Sequence, residues 1–242
     1  MTPKYVQIYK EIKHRILNGY YKENNHQLPT EADFCKEFSC SRMTIKKALD
    51  YLVSEGYIYR KKGKGSFVFP NKKLSSKISI HENQLSGLSK FYKGEVSSKV
   101  IKFEFIFADE TLADKLDLNV GDPVYHIFRL RLVDQKPFVL ECTYINPIII
   151  PGITQDVLNH SVYDYIENTL HLKIAGSFRI TRADCSNESD QKYLELTEKE
   201  PVLEVEQLAY LDNGFPFEYS FARHRYDCFE FYSHSIITQN PF

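Results

Sequence analysis

Ser41-Arg42-Met43-Thr44-Ile45-Lys46-Lys47-Ala48-Leu49-Asp50-Tyr51-Leu52-Val53 is the stretch on which the reading of the amino-terminal third turns. Ile45, Ala48, Leu49, Leu52 and Val53 recur three and four residues apart, which is the apolar stripe of a helix. Ser41 is a suitable N-cap and Gly56 a suitable stop. The opposite face carries Arg42, Met43, Lys46 and Lys47. The 42/46 and 43/47 pairs are one helical turn apart, so these side chains project together. A basic face beside a helix N-terminus suits a DNA major groove, because the cations neutralise phosphates and an arginine can pair bidentately with guanine.

Working outward from this helix, Tyr5, Ile8, Ile12 and Ile16 form a second helical stripe that ends at Asn18-Gly19. Pro29-Thr30 then precedes Glu31-Ala32-Asp33. There the Thr30 hydroxyl can cap a short helix, and Asp33 stands where a capping-box acid belongs. That helix should run to about Phe38, followed by a tight turn over Ser39-Cys40-Ser41-Arg42. Beyond Gly56, Tyr57-Ile58-Tyr59 and Ser66-Phe67-Val68-Phe69 flank Arg60-Lys61-Lys62-Gly63-Lys64-Gly65, a small hairpin with a cationic tip. Its glycines permit close approach to a phosphate or to the minor groove.

The charge is divided in the same way. The 242-residue chain has a net charge of −1, but residues 1–70 hold 13 Lys and Arg against 7 Asp and Glu, a net of +6, and the remainder holds −7. Only the first segment suits a polyanion. The length and the 43% hydrophobic content favour two domains. No apolar run is long enough to span a bilayer, and Met1-Thr2-Pro3-Lys4-Tyr5 leads into charged residues, so a cytoplasmic location without membrane association is expected. Cys35, Cys40, Cys142, Cys185 and Cys228 lack metal-ligand spacing and are expected to be buried reduced thiols.

From Pro70 the chain is polar and basic, and residues 71–82 read as a linker. Beyond it, strand-like runs at Val100–Phe107, Val124–Val133, Phe138–Ile145, Phe178–Cys185, Val202–Tyr210, Phe217–Arg225 and Cys228–Ser233 alternate with helical segments at Thr111–Leu116, Ser161–Asn168 and Glu188–Leu194. Tight turns at 132–137 and 211–215 imply an antiparallel sheet and an α+β class. Within Val124–Val133 the period of two puts Arg129 and Arg131 on one face with Ile127 and Val133. Two half-buried guanidiniums need anionic partners. Either Glu141 or Glu218 could supply an internal salt bridge, or a bound anion could take that place with help from Ser161 at a helix start. Both readings stand on charge patterning alone. Glu218 and His224 are six apart on one strand and share a face, where the histidine could equally be a structural one.

The amino-terminal motifs Leu28-Pro29-Thr30-Glu31, Ser41 to Leu49 and Gly63-Lys64-Gly65-Ser66-Phe67-Val68 together resemble the GntR-type winged helix-turn-helix. The resemblance implies that residues 1–70 bind double-stranded operator DNA. It points to Thr30, Ser41, Arg42, Met43, Thr44, Lys46 and Lys47, with Lys62, Gly63, Lys64 and Gly65 at the wing tip. Ala32 stands where relatives commonly carry a DNA-contacting arginine. Residues 83–242 resemble, from about Ser97 to Phe231, the UTRA effector domain of HutC-type regulators, whose α+β fold is similar to chorismate lyase. The matching pieces are Arg129-Leu130-Arg131, Glu141, Ser161 to Ile166, and Glu218-Tyr219-Ser220 leading to Asp227.

By that resemblance the domain dimerises and takes a small anionic effector. Arg129, Arg131 and Ser161 would hold a phosphate and the acids Glu141 and Glu218 the sugar hydroxyls, with Tyr163 and His224 completing the effector-binding set. The implied protein is a homodimeric repressor of a carbohydrate operon, acting on a near-palindromic site and released by a phosphorylated sugar, with no cofactor. A non-sugar carboxylate or an amino-acid-derived metabolite is an alternative effector. A purely dimerising second domain and a lyase-like enzyme are the competing functions. For the enzyme, the sequence offers no nucleophile elbow, no metal-ligand spacing and no Ser-His-Asp signature.

Overall fold

The computed structural model describes residues 2–69, 78–81 and 94–232. These fall into two compact units, one holding residues 2–69 with 81 and 232, the other 78–80 and 94–231.

In the first unit, helix α1 (Lys4–Leu17) buries Ile8, Ile12 and Ile16, as its stripe requires. Helix α2 (Glu31–Glu37) is closed by a full capping box between Thr30 and Asp33. Helix α3 (Arg42–Ser54) starts at a Ser41 cap and buries Ile45, Ala48, Leu49 and Leu52. These stripes meet around Phe34 to form one core. Arg42 belongs to the helix rather than to the preceding turn, which is tightened by Ser39 at a φ of +47°. Strands β1 (Ile58–Lys61) and β2 (Gly65–Val68) pair antiparallel from Ile58 opposite Val68 to Lys61 opposite Gly65. Ile58 and Val68 are buried, so the hairpin is rooted in the core while its tip stands in solvent.

The expected linker coincides with described residues only at 78–81, and these form strand β3 (Ile78–His81), paired with strand β10 (Phe229–Tyr232). The second unit is built on a six-stranded antiparallel sheet. Its strands are β4 (Val96–Phe107), β5 (Pro123–Val133), β6 (Lys136–Ile145), β7 (Ile174–Cys185), β8 (Pro201–Leu211) and β9 (Pro216–Arg225). The spatial order is β4-β5-β6-β9-β8-β7. The β5–β6 turn uses Asp134 and Gln135 at φ of +47° and +66°, the primed-turn geometry that matches strand twist.

One face of the sheet packs Ile127, Ile145, Ala209 and Phe217 against helices α5 (Gln155–Asn159) and α6 (Val162–Asp164) and the turn after them. The other face packs Tyr219, Tyr144, Leu208 and Phe221 against α4 (Glu110–Leu116), while Leu130, Leu140 and Val202 pack against Leu194 at the end of α7 (Glu188–Tyr193). The class is α+β with an antiparallel sheet, as expected.

Some local expectations need correction. Strand β4 begins at Val96 rather than Val100, because its polar start is recruited by backbone pairing with the end of β5. The helix α5 is an addition. The helix expected over 161–168 is a three-residue α-turn followed by a π-helical turn, Tyr165–Thr169. The cysteines are not buried: Cys185 is exposed and the other four are half-buried, all as free thiols.

Candidate DNA-reading surface and ligand cavity

The N-terminus of α3 is held by two side chains. Ser41 Oγ accepts from the Thr44 amide at 3.3 Å and lies 2.9 Å from Thr44 Oγ1. With the stripe of α3 buried, its opposite face presents Arg42, Met43, Lys46 and Lys47 to solvent, and Met43 is 73% exposed. Lys47 lies over the Tyr5 ring, its Nζ 4.1 Å from the centroid, a cation–π contact that steadies an otherwise flexible cation. Thr30 is exposed at the start of α2, its hydroxyl donating to Asp33 at 2.6 Å.

Lys61, Lys62, Gly63, Lys64 and Gly65 are all exposed at the wing tip. Gly63 and Gly65 take φ of +72° and +100°, a region that L side chains rarely adopt. Gln27 donates to the Lys64 carbonyl at 2.9 Å and Leu28 donates to that of Ser66 at 2.9 Å, which braces the wing against the loop before α2. Arg60 differs from its neighbours: it is paired to Asp50 of α3 at 2.7 Å and lies 4.0 Å from Glu31, so its charge ties the wing to the helices. All eleven residues assigned to this surface from sequence therefore cap, line or tip one basic module.

In the second unit, the strand registers line up inward-facing residues in rows across the sheet. Arg131 stands opposite Val139 and that opposite His224. Arg129 stands opposite Glu141, followed by Ala222 and Val205. Ile127, Thr143, Ser220, Gln207 and Arg179 form a third row. With Ser161, Val162 and Tyr163 above them, these rows enclose a cavity of about 160 Å³. Arg129, Arg131, Glu141, Ser161, Tyr163, Glu218 and His224, the seven residues expected from sequence, all line it.

Arg129 donates to Glu141 at 2.7 Å and to the Leu158 carbonyl at 3.0 Å, and its buried Nε has no hydrogen-bond partner among the described residues. Arg131 approaches the other Glu141 oxygen at 3.8 Å. The internal salt bridge weighed from sequence thus exists, with Glu141 as its acid, and one carboxylate is shared by two guanidiniums. Burial pushes the Glu141 carboxyl up, but the flanking arginines outweigh it and hold the group below the usual carboxylate range. Burial draws the Arg131 guanidinium down despite Glu141.

Glu218, 6% exposed, forms the centre of a second network. Its Oε1 accepts from Gln207 at 2.9 Å, Ser220 at 2.9 Å and Tyr163 at 3.3 Å. Burial raises its carboxyl pKa against the opposing hydrogen bonds of Ser220 and Gln207. His224, 5% exposed, stacks on Phe229 at 3.9 Å, and its Nδ1 has no partner among the described residues. Burial lowers its pKa to about 3, so the ring is neutral at pH 7. Ser161 Oγ accepts from the Asp164 amide at 3.2 Å and caps the turn that carries Tyr163. Buried polar atoms without partners are rare in folded proteins, and two of them belong to residues that line one cavity, which points to a ligand site.

Comparison with known proteins joins the two sites. The family of bacterial regulatory proteins called gntR matches residues 4–68, and the UTRA domain matches residues 92–230, more than half of the chain. The chain belongs to the GntR family. The pairing of these two domains is the HutC-type architecture. This GntR protein is 44% identical over 227 residues to the HTH-type transcriptional regulator GmuR of Bacillus subtilis, covering 93% of this chain and 95% of GmuR. It is 30% identical to the mannosyl-D-glycerate transport/metabolism system repressor MngR of Escherichia coli, covering 90% of each. The crystal structure of the possible transcriptional regulator YydK of Bacillus subtilis aligns with a TM-score of 0.79 at 28% identity, covering 97% of this chain and all of YydK. As a GntR regulator the protein is a DNA-binding transcription factor and not an enzyme. Among the described residues, no helix is long and apolar enough to cross a membrane.

The GntR domain explains why the basic module is exposed, and the UTRA domain explains why a polar cavity is buried in a sheet. Sequence reading missed Thr143, Ser220, Gln207 and Arg179 of the cavity lining. Thr143 and Ser220 were recoverable, each lying two residues from an assigned carboxylate on the same strand face. Gln207 and Arg179 lie on strands where polar side chains occur on both faces, and no local signal separates them.

Proposed function

We propose that this regulator represses a carbohydrate-utilisation operon and leaves its operator when the cavity takes up a phosphorylated sugar. The observation that carries the reading is the charge of the lining: Arg129, Arg131 and Arg179 face a space in which Glu141 and Glu218 are the lining acids, and Arg129 Nε is a buried donor without a partner among the described residues. A phosphate supplies the missing anion and accepts from arginine in a planar, bidentate manner. Ser161, at the mouth of a capped turn, adds a hydroxyl. Glu218, Tyr163 and the neutral His224 then offer acceptors and donors to the hydroxyls of the sugar. The name of the relative MngR, a mannosyl-D-glycerate transport/metabolism system repressor, agrees with a sugar-related effector.

The DNA half of the reading gives roles to the basic module. Arg42, Met43, Thr44 and Lys46 read base edges and nearby phosphates, while Thr30, Ser41 and Lys47 position the helix. The wing, with Lys62, Gly63, Lys64 and Gly65, follows the backbone. Residues 1–70 act as the DNA-binding domain, 71–82 as the connection and 83–242 as the effector-binding and dimerisation domain. A homodimer in the cytoplasm places two copies of α3 in successive major grooves of a near-palindromic operator. Tenfold to hundredfold release requires only about 1–3 kcal/mol of coupling between the sites.

A thermal-melting screen tests the cavity. A hexose or disaccharide phosphate is expected to raise the melting temperature where the unphosphorylated sugar does not, and Arg129→Ala with Arg131→Ala should abolish that rise while leaving DNA binding intact. If the double variant cannot fold, the two arginines are structural partners of Glu141 and the ligand role assigned to them is wrong.

A further inference from the structure

We infer that Arg179, acting through Gln207, fixes the hydrogen-bond polarity of Glu218 and so commits that part of the cavity to a ligand group that donates a hydrogen bond. For the identity of the ligand this rests on the sugar-phosphate reading above, where the donor is a sugar hydroxyl; the relay itself stands on contacts within the protein.

Arg179 enters the cavity from the edge strand β7, at the end of the row that runs through Thr143, Ser220 and Gln207. A guanidinium can only donate. Its Nε donates to Gln207 Oε1 at 2.7 Å, and that contact decides which way the amide points. The oxygen must face Arg179, and the NH₂ must face inward. Gln207 Nε2 accordingly donates to Glu218 Oε1 and to the Tyr163 hydroxyl, both at 2.9 Å. Having accepted that bond, the Tyr163 hydroxyl turns its own proton to Glu218 Oε1 at 3.3 Å, and Ser220 donates to the same oxygen at 2.9 Å.

Three donors on one carboxylate oxygen favour the ionised form. The second oxygen, Oε2, receives no hydrogen bond from the described residues and is left as an acceptor for the ligand. Without Arg179 the amide can turn through half a revolution and present its carbonyl to Glu218. Two facing acceptors then need a proton between them, so the carboxyl is held protonated and its fitness for a donor group is lost. Other influences act on Glu218 beside this relay: burial and Glu141 raise its proton affinity, while Arg129 and the direct charge of Arg179 lower it. Arg179 is therefore a positioning residue that sets specificity through Gln207 and Glu218.

The test is a carbon-13 carboxyl titration of the full-length protein, with the Glu218 resonance assigned by its loss in Glu218→Gln. Arg179→Met and Gln207→Leu should each move the Glu218 titration upward by about one pH unit or more. The double variant should move it no further than the larger single change, because both break one chain. Additive shifts would show that Arg179 acts by its bare charge, and an unmoved titration in Arg179→Met would show that it does not act on Glu218; either result overturns the relay. Arg179→Leu takes the place of Arg179→Met should the latter fail to fold. Inorganic phosphate, a probe of the arginine-lined cavity, should raise the melting temperature of the wild-type protein. Its failure to do so would count against the anion-binding reading of the cavity, while the titration would still judge the relay.

Discussion

His224 is a buried, neutral imidazole, and its cost appears on acidification. Its folded pKa of about 3 lies below its ordinary 6.5, so between these values the unfolded chain binds a proton that the folded chain refuses. The stability contributed by the neutral ring is complete above pH 6.5 and is lost as the pH falls toward 3. Between pH 6.5 and 5 the loss is about 2 kcal/mol. His224→Phe, which retains a ring on Phe229, should flatten urea-melting stability over that interval; an unchanged slope would contradict the burial of a neutral histidine. The depressed Glu141 carboxyl acts in a lower window, its contribution fading below the unfolded carboxylate pKa, so the two effects separate. On the DNA side, Arg42→Ala should cost about 1–3 kcal/mol and relax specificity at one base pair, whereas Lys64→Ala should weaken all sequences alike and lower the salt slope by about one. Equal losses on operator and random DNA for Arg42→Ala would remove its base-reading role.

The helix-turn-helix was legible as a set of elements because three signals agree in it: a 3.6-residue stripe, a capping residue and a stop. Thr30, Ser41 and Gly56 mark boundaries that the structure reproduces to within a residue. The strands β5, β6 and β9 gave up their part of the cavity because Arg129, Arg131, Glu141, Glu218 and His224 interrupt apolar runs, and a charge in such a run faces either a partner or a ligand. Strands β7 and β8 are different: Arg182 pairs outward with Glu204 and Glu206, while Arg179 and Gln207 turn inward. Which parity faces the cavity depends on the pairing register, which no single strand discloses. Helix α5, five residues long, is too short to show a period. The wing makes its own prediction as an element. Gly65→Ala forces a side chain into a φ of +100°, so it should weaken operator binding at least several-fold while leaving the melting of the sheet domain in place. A wild-type affinity would show that the wing tip makes no contact with DNA.

At the scale of the whole molecule, a basic module and a sheet-borne polar cavity belong to one chain, and regulation requires that occupation of one changes the affinity of the other. A ligand shifts such an equilibrium only by its differential affinity for two states, and by linkage DNA weakens the ligand by the same factor. The most direct measurement is fluorescence anisotropy of the full-length protein on its own upstream duplex, titrated with a panel of hexose and disaccharide phosphates beside their unphosphorylated parents. The account predicts that at least one phosphate lowers operator affinity tenfold or more, that its parent sugar does not, and that the Arg129→Ala, Arg131→Ala protein stays bound throughout. Release by the parent sugar at equal concentration, or by the phosphate from the double variant, would contradict it.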